Sequence, residues 1–246
     1  MQVLLTLSNT AMADINNQKH FVLVHGACHG AWCWQKLKKL LESASNRVTL
    51  LDLAASGTNM KKIEDVEIFD EYSEPLLDFL ASLQPKEKVI LLSCQIPRTS
   101  HHLSWISIMR GPQQRPGWTL NFYHTAALNV ISQQCFLGPN SYLSKLYQLS
   151  PPEDLEQART LIRPGSLFLY DLSRADNFSA KGYGSVKRVY VICDEDLAIP
   201  VEFQRWMIEN SGADEVMEIK GADHMVMFSK PRELSQCLSE IAKKHA

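Results

Sequence analysis

The sequence contains no extended cluster of basic residues. The net charge is −2, and the densest positive sites are the isolated pairs Lys38-Lys39, Lys61-Lys62 and Lys243-Lys244. Pairs of this kind are typical of solvated helix faces. Binding to nucleic acid or to an anionic membrane requires a strong positive potential, which this chain lacks. The composition therefore argues against both classes of partner.

Cysteine pairs at the spacing of a zinc or redox site are also absent. Six cysteines without any C-x-x-C pair are typical of buried thiols in a reducing compartment. They are Cys28, Cys33, Cys94, Cys135, Cys193 and Cys237.

No segment has the length of a transmembrane helix. The apolar run Val3–Leu7 lacks a preceding basic region and is too short for a signal peptide. We therefore expect a cytoplasmic protein with a disordered leader, residues 1–18, followed by a single domain, residues 19–246. The length of 246 residues suits one α/β domain or two small ones.

Apolar runs and helical repeats alternate along most of the chain. Phe21–Val24 is a continuous apolar run typical of a buried parallel strand, and Ala31–Ser43 follows with apolar residues at helical spacing. The same alternation predicts a doubly wound, mostly parallel α/β sheet with right-handed crossovers. Further strands are predicted at residues 47–53, 88–92, 187–193 and 216–219, and helices at residues 69–83, 200–210 and 231–243. Ser150-Pro-Pro-Glu153 resembles a capping box that starts another helix.

Residues 93–129 follow neither period. They contain Pro97, Pro112, Pro116 and the pair His101-His102, and a structureless insert of this length is unusual inside a compact domain. We expect this stretch to be poorly ordered.

Two acidic and histidine-containing loops follow predicted strands. Asp194-Glu195-Asp196 comes after the strand that ends at Cys193, and His224 follows the strand that ends at Ile219. Ligands of open α/β sheets bind beyond the carboxyl ends of the strands, where both loops are expected. An acid followed by a later histidine matches the hydrolase order Ser…Asp…His, with His224 as the general base and Asp196 orienting it. The alternative is a solvated loop acid and a solvated loop histidine.

Long stretches of the chain resemble the plant methylesterase family of α/β-hydrolases, which includes methyl salicylate esterases, polyneuridine aldehyde esterases and hydroxynitrile lyases. The matching stretches are HFVLVHGACHGAWCW, RVTLLDLAASG, EYSEPL, EKVILL, LSPPEDLEQARTLIRPGSLF, YGSVKRVYVICDEDLAIPVEFQRWM and EIKGADHM. The resemblance covers most of residues 19–92 and 131–246 and implies an α/β-hydrolase fold.

The resemblance also implies site residues. It assigns the catalytic acid to Asp196 and the catalytic base to His224. It places an oxyanion-binding backbone N–H at Ala27, with Cys28 and His29 in the same pocket-lining turn. No metal and no cofactor is implied. The expected partner is a small-molecule ester or carboxylate, and a homodimer stays open.

The chain departs from the family directly after Leu92. The family continues EKVILL with GHSxGG, the turn that carries the nucleophilic serine, whereas this chain continues Ser93-Cys94-Gln95. Gln95 stands where the serine is expected, and the glycines that permit the strained turn are missing. The fold is therefore predicted to be incomplete after the strand that ends at Leu92.

A shift of reading frame explains the anomalous stretch. Taking the third base of each codon with the first two of the next, residues 93–98 can be read as MPDTT. In the same frame residues 105–124 can be read as DQYNERTPAEAWLDTQFLPY, and both strings resemble segments of the family. We infer that residues 93–129 are family coding sequence translated out of frame, and that roughly 30 residues, about one helix-plus-strand unit, are missing after Leu92.

Three functions remain open from the sequence. The first is a methylesterase relative, for methyl esters of salicylate, jasmonate or indole-acetate, that is inactive because the serine is absent. The second is a non-catalytic protein that binds a salicylate-like carboxylate, and the third is an esterase with a substitute nucleophile at Ser93 or Cys94. A hydroxynitrile lyase relative is less favoured. Such lyases carry a threonine where Gly26 stands and a lysine where Met225 stands.

Overall fold

A mixed six-stranded sheet forms the centre of the protein. The structure is a computed structural model. It describes residues 1–5, 18–85, 87–94, 134–135, 143–166, 168, 171, 174 and 186–245. The strands are β1 (Gln2–Leu5), β2 (His20–Val24), β3 (Arg47–Leu51), β4 (Ile90–Ser93), β5 (Gln134–Cys135), β6 (Gly165–Ser166), β7 (Lys187–Cys193) and β8 (Glu215–Ile219).

The order in the main sheet is β3-β2-β4-β1-β7-β8, and β5 pairs separately with β6. Strands β3, β2 and β4 are mutually parallel, as are β7 and β8. Strand β1 is antiparallel to both of its neighbours, β4 and β7, so these two strands run in the same direction. The predicted doubly wound, mostly parallel sheet is therefore confirmed.

Helices cover both faces of this sheet. They are α1 (Gln35–Ser43), α2 (Phe69–Ser82), α3 (Leu143–Leu146), α4 (Pro152–Leu161), α5 (Val201–Ser211), α6 (Val226–Ser229) and α7 (Pro231–His245), and short 3-10 turns lie at Ala31–Trp34 and Ile63–Asp65. None of the helices that the structure describes is long and apolar enough to cross a membrane.

Alternation along β2 shows how the two faces are divided. Phe21 and Leu23 belong to one core with residues of α1 and α7, whereas Val22 and Val24 belong to a second core with residues of α2. A strand buried on both faces has no polar positions to alternate with, which explains its continuous apolar sequence. A third, smaller cluster packs α5 against β7.

Two expectations are corrected by the structure. We expected residues 1–18 to form a disordered leader, but Gln2–Leu5 is a strand in the main sheet; residues 6–17 lie outside the described residues. The loss of a helix and a strand after Leu92 also predicts an open sheet edge beside residues 88–92, yet β4 is paired with β2 on one side and β1 on the other. An apolar segment supplied from far away in sequence covers that edge, which local pattern reading does not reveal.

The predicted capping box is wrong as well. Helix α4 is capped by Pro151, without a side-chain hydrogen bond, rather than by Ser150. The Ser150 hydroxyl instead donates a hydrogen bond of 2.9 Å to Oδ2 of Asp223, in the loop that carries His224. A buried carboxylate outcompetes the helix terminus for this hydroxyl because charge-assisted hydrogen bonds are stronger than neutral ones.

Of the stretch 93–129, which was predicted to be poorly ordered, the structure describes only Ser93 and Cys94. Ser93 ends β4 and Cys94 follows it, with the Cys94 N–H donating to the Val24 carbonyl over 3.4 Å. Residues 95–129 lie outside the described residues.

Candidate active site

The predicted acid and base are brought together at the carboxyl end of the sheet. His224 lies in the loop after β8, and Asp196 lies in the loop after β7. Nδ1 of His224 is 2.8 Å from Oδ2 of Asp196. The Asp196 side chain is 6% exposed and that of His224 is 23% exposed. The alternative of two separate, solvated loop residues is therefore excluded.

Asp196 is fixed by its own loop. Its second oxygen, Oδ1, accepts hydrogen bonds from the backbone N–H groups of Ala198 and Ile199, both of 2.8 Å. The carboxylate therefore has one oxygen committed to the loop and one committed to His224. With Nδ1–H of His224 donating to this anion, Nε2 is the ring nitrogen that remains to accept a proton.

The two loops are also tied to each other. Oδ1 of Asp194 accepts the Gly221 N–H over 2.6 Å, and the Glu195 N–H donates to the Ala222 carbonyl over 3.0 Å. These contacts set the spacing of the strand ends and hence the distance between the acid and the base. Asp194 and Glu195 thus support the loop geometry, while Asp196 alone contacts the histidine.

Asp223, to which the sequence analysis assigned no role, fixes the loop that carries His224. Its carboxylate is fully buried. Oδ2 accepts hydrogen bonds from Leu149 N–H and the Ser150 hydroxyl, both of 2.9 Å, and Oδ1 accepts one from Met225 N–H over 3.0 Å. Gln148 also donates to the Glu195 carbonyl. The segment after α3 is therefore docked on the two loops that carry Asp196 and His224, and Asp223, the residue before His224, accepts its hydrogen bonds.

The turn after β2 holds the predicted oxyanion site. His25 is fully buried, its Nδ1 lies 2.8 Å from the Gly26 carbonyl, and its Nε2 accepts the Leu53 N–H over 3.1 Å. The tautomer that fits has the proton on Nδ1, so His25 donates to Gly26. That carbonyl belongs to the same peptide unit as the Ala27 N–H, so His25 fixes the orientation of the predicted oxyanion donor.

His29 clamps the next peptide unit. Nδ1 lies 2.9 Å from the Ala27 carbonyl, and Nε2 lies 2.8 Å from the Tyr147 hydroxyl. Burial lowers the pKa of His29 to about 4, despite the opposing effect of the hydrogen bond to Ala27, and the nearby His25 and His224 lower it further. A neutral ring that donates to Ala27 and accepts from Tyr147 satisfies both contacts.

An aromatic cluster surrounds His29. Its ring stacks on Trp32 at 5.4 Å and on Tyr147 at 6.0 Å, and Phe228 stacks on Tyr147 at 5.6 Å. The side chain of His29 is 5% exposed, and that of Cys28 is 2% exposed. Both residues were predicted to line a pocket, and in this structure both are covered, so their contact with a substrate stays a prediction.

The backbone at Cys28 is unusual. Its φ angle is 65°, in the left-handed region that few non-glycine residues adopt. The Arg163 N–H donates to the Cys28 carbonyl over 3.1 Å, and a Cβ atom at Gly165 would lie only 2.9 Å from Cys28 N. Strand β6 therefore packs directly against the turn, and only glycine fits at position 165.

Cys94, the residue before the position expected for the nucleophile, lies beside the turn after β2. A Cβ atom at Gly26 would lie 3.5 Å from Cβ of Cys94. Burial raises the pKa of the Cys94 thiol to about 12, and the neighbouring Cys193 and Asp196 act in the same direction. Among the described residues, no group of three or more His, Cys, Asp or Glu side chains is arranged to hold a metal ion.

Comparison with known proteins places these features in context. No protein-family model matches the chain. The chain is 45% identical to norfluorocurarine synthase 1 from Strychnos sp, over 94% of this chain and 98% of that protein. It is 44% identical to salicylic acid-binding protein 2 from Nicotiana tabacum, with 92% and 98% covered, and 43% identical to methylesterase 1 from Arabidopsis thaliana, with 95% and 99% covered.

Solved structures agree with the sequence relatives. Polyneuridine aldehyde esterase, solved as a histidine-to-alanine variant, superposes with a TM-score of 0.79 at 39% identity, covering 91% of this chain and 99% of that chain. Tomato methylketone synthase I in complex with β-ketoheptanoate superposes with a TM-score of 0.77 at 33% identity, covering 93% and 98%. The fold is therefore the α/β-hydrolase fold.

One of these alignments is longer than the part of the chain that it covers. The alignment with norfluorocurarine synthase 1 extends over 261 positions but uses only 94% of the 246 residues, about 231. About 30 of its positions therefore have no residue in this chain.

Proposed function

Because the chain belongs to the plant methylesterase family of α/β-hydrolases, we propose that its site is that of a carboxylic-ester hydrolase which has lost its nucleophile. The observation that carries the proposal is the Asp196–His224 hydrogen bond of 2.8 Å in a chain that contains no G-x-S-x-G sequence. The acid and base of the triad are intact, and the third member is absent.

The parent reaction assigns a role to each retained group. Serine attacks the carbonyl of a methyl ester while Nε2 of the histidine takes the hydroxyl proton, and the same proton then passes to the leaving methanol. Water completes the cycle by hydrolysing the acyl-enzyme. Asp196 holds the ring in the tautomer that leaves Nε2 free to accept, and the Ala27 N–H donates to the developing oxyanion.

Two observations support the loss of the serine. The sequence after β4 reads Ser93-Cys94-Gln95 in place of the glycine-rich turn. The alignment with norfluorocurarine synthase 1 leaves about 30 positions without a residue in this chain, which matches the length of one helix and one strand. The second N–H of the oxyanion hole is lost with the same segment, because it belongs to the residue after the nucleophile.

Neither neighbouring residue is suited to replace the serine. Ser93 is still part of the sheet, paired with Val24 of β2 and Gln2 of β1, so it is not raised on a turn. A thiol with a pKa of about 12 is ionised in only about one molecule in 10⁵ at pH 7, so Cys94 offers almost no thiolate. We therefore favour an inactive chain over an esterase with a substitute nucleophile.

The substrate class follows from the relatives. Methyl esters of small carboxylic acids, such as salicylate, jasmonate or indole-acetate, are the proposed substrates of the parent enzyme. The names of salicylic acid-binding protein 2 and methylesterase 1 support this class. The cytoplasm is the proposed compartment, and the free thiols of Cys28, Cys33, Cys94, Cys193 and Cys237 agree with it. The homodimer stays a prediction.

A second candidate is non-catalytic binding of an aromatic carboxylate. It is favoured by the name of the tobacco relative, salicylic acid-binding protein 2. Calorimetric titration with salicylate tests it, with benzyl alcohol as a control that has a ring but no carboxylate.

Labelling with a serine-reactive phosphonate tests the main proposal. The purified chain should remain unmodified after incubation under conditions that label an intact family member completely. A phosphonylated peptide that contains Ser93 would overturn the proposal, and a Ser93→Ala variant provides the matched control.

A further inference from the structure

Strand β1 differs from every other strand of the main sheet. The five other strands run in one direction, and β1 alone runs against them, between β4 and β7. It is also supplied by the first residues of the chain, whereas β4 and β7 are separated by about a hundred residues.

Without β1 the sheet would contain a slot one strand wide. Neighbouring strands lie about 4.8 Å apart, so β4 and β7 are separated by about 10 Å. Each would present a row of backbone N–H and C=O groups to this slot. These rows lie inside the sheet, where unpaired backbone groups are costly and are almost always hydrogen-bonded in native proteins.

The pairing of β1 satisfies both rows. Gln2 to Leu5 pair in register with Ser93 to Ile90 on one side and with Tyr190 to Lys187 on the other. The ladder extends to Met1, whose main-chain nitrogen donates to the Val191 carbonyl over 3.0 Å while the Val191 N–H donates to the Met1 carbonyl over 2.8 Å.

The end of β1 and the start of β2 lie near each other in the sheet. Leu5 of β1 and Phe21 of β2 both pair with Ile90, on opposite sides of β4. The end of β1 and the start of β2 therefore lie on the same edge of the sheet, about 10 Å apart. The residues between them span this distance easily, since an extended chain covers about 3.3 Å per residue.

We propose that the space between β4 and β7 is a strand-docking site and that residues 1–5 of this chain are its replacement occupant. They take the place of the parallel strand that the segment absent after Leu92 would have supplied. The statement that the site arose from the loss of the segment after Leu92 rests on the proposed function. The docking of β1 between β4 and β7 does not depend on catalysis. Extended segments that complete a sheet in this way bind through main-chain hydrogen bonds, as in strand addition between proteins.

Hydrogen exchange of a proline variant tests the docking in the full chain. Hydrogen-bonded pairs alternate along an antiparallel ladder, so after Met1–Val191 the next pair toward β7 is Val3–Val189. Val3→Pro removes the N–H of that pair, whereas Val3→Thr keeps it and provides the control. We expect amides of β4 and β7 to exchange at least about tenfold faster in Val3→Pro than in Val3→Thr.

A peptide added in trans provides the second test. A variant without residues 1–17 should lose protection in β4 and β7 and regain it with a synthetic peptide of residues 1–9, but not with a scrambled peptide of the same composition. Unchanged exchange in Val3→Pro, or equal effects of the two peptides, would overturn the inference. Those results would not affect the proposal that the nucleophilic serine is lost. Ester hydrolysis by the chain would overturn the proposed function without affecting the proposed docking of β1.

Discussion

The buried, neutral His29 should make the stability of the protein depend on pH. Burial is the main cause that lowers its pKa from 6.5 to about 4 in the folded chain. Above pH 6.5 the ring is neutral in both states and contributes no pH dependence. Between pH 6.5 and about 4 the unfolded chain binds a proton that the folded chain does not, so stability falls as the pH falls.

The size of this effect follows from the shift. One pKa unit corresponds to about 1.4 kcal/mol, so a shift of this size, at a fully buried group, lowers the free energy of unfolding by about 3 kcal/mol between pH 7 and pH 4. That is a large fraction of the roughly 5–15 kcal/mol by which domains are stable.

Urea unfolding of the protein and of a His29→Gln variant at pH 7, 6, 5 and 4 measures this difference. Glutamine does not titrate but can still donate to Ala27 and accept from Tyr147, so other titrating groups, including His20 and His25, cancel in the comparison. From pH 7 to pH 4, the free energy of unfolding of the protein should fall by about 3 kcal/mol relative to that of the His29→Gln variant. If the free energies of unfolding of the two proteins changed equally with pH, a neutral, buried His29 would be refuted.

Three further outcomes are expected from the site. Asp223→Ala leaves one buried and two partly buried donors without their acceptor and should lower the free energy of unfolding by about 3 kcal/mol in urea, while the exposed Asp78→Ala should change it by less than about 0.5 kcal/mol. Cys94 should react with iodoacetamide at pH 7 about a thousandfold more slowly than glutathione, as followed by peptide mass mapping; an equal rate would contradict its raised pKa. Asp196→Ala should remove the protected Nδ1 proton signal of His224 from the NMR spectrum, and a signal that persists would contradict the hydrogen bond.

Local patterns predicted most of the fold because the elements that form it obey simple periodicities. The apolar run of β7 was predicted with the bounds that the structure gives, Lys187–Cys193. The closing helix, predicted to end at Lys243, extends to His245. In each case the spacing of apolar residues predicts one element, because the residues on its buried face or faces are apolar.

Strand β1 was missed because its sequence carries no signal of where it pairs. A run as short as Val3–Leu7 fits a strand, a leader or a helix start equally well, and its partners lie far away in sequence. The sheet edge that was expected to be open beside residues 88–92 is closed by this long-range pairing.

The Asp196–His224 pair was found from sequence because two strand ends must meet at one edge of a parallel sheet. Asp223 was missed although it is adjacent to His224 and fully buried. Its role depends on Leu149 and Ser150, which only the tertiary structure brings to it. Burial of a loop carboxylate has no local pattern, so the residues around His224 carry no sequence signal of this role.

The rate of ester hydrolysis, measured on two proteins side by side, tests the loss of the nucleophile most directly. One is the chain as it stands, and the other carries the serine-containing turn, helix and strand of the curated relatives after Leu92, with the following segment restored to the family frame. With methyl salicylate or a nitrophenyl ester, the chain as it stands should turn over no faster than its own His224→Ala variant. The restored protein should be faster by up to about a million-fold, the effect of removing the serine from such a triad. If the unrestored chain hydrolyses the ester at a rate comparable to the restored one, and loses that rate on His224→Ala, then the site has a nucleophile and the proposed loss of function is wrong.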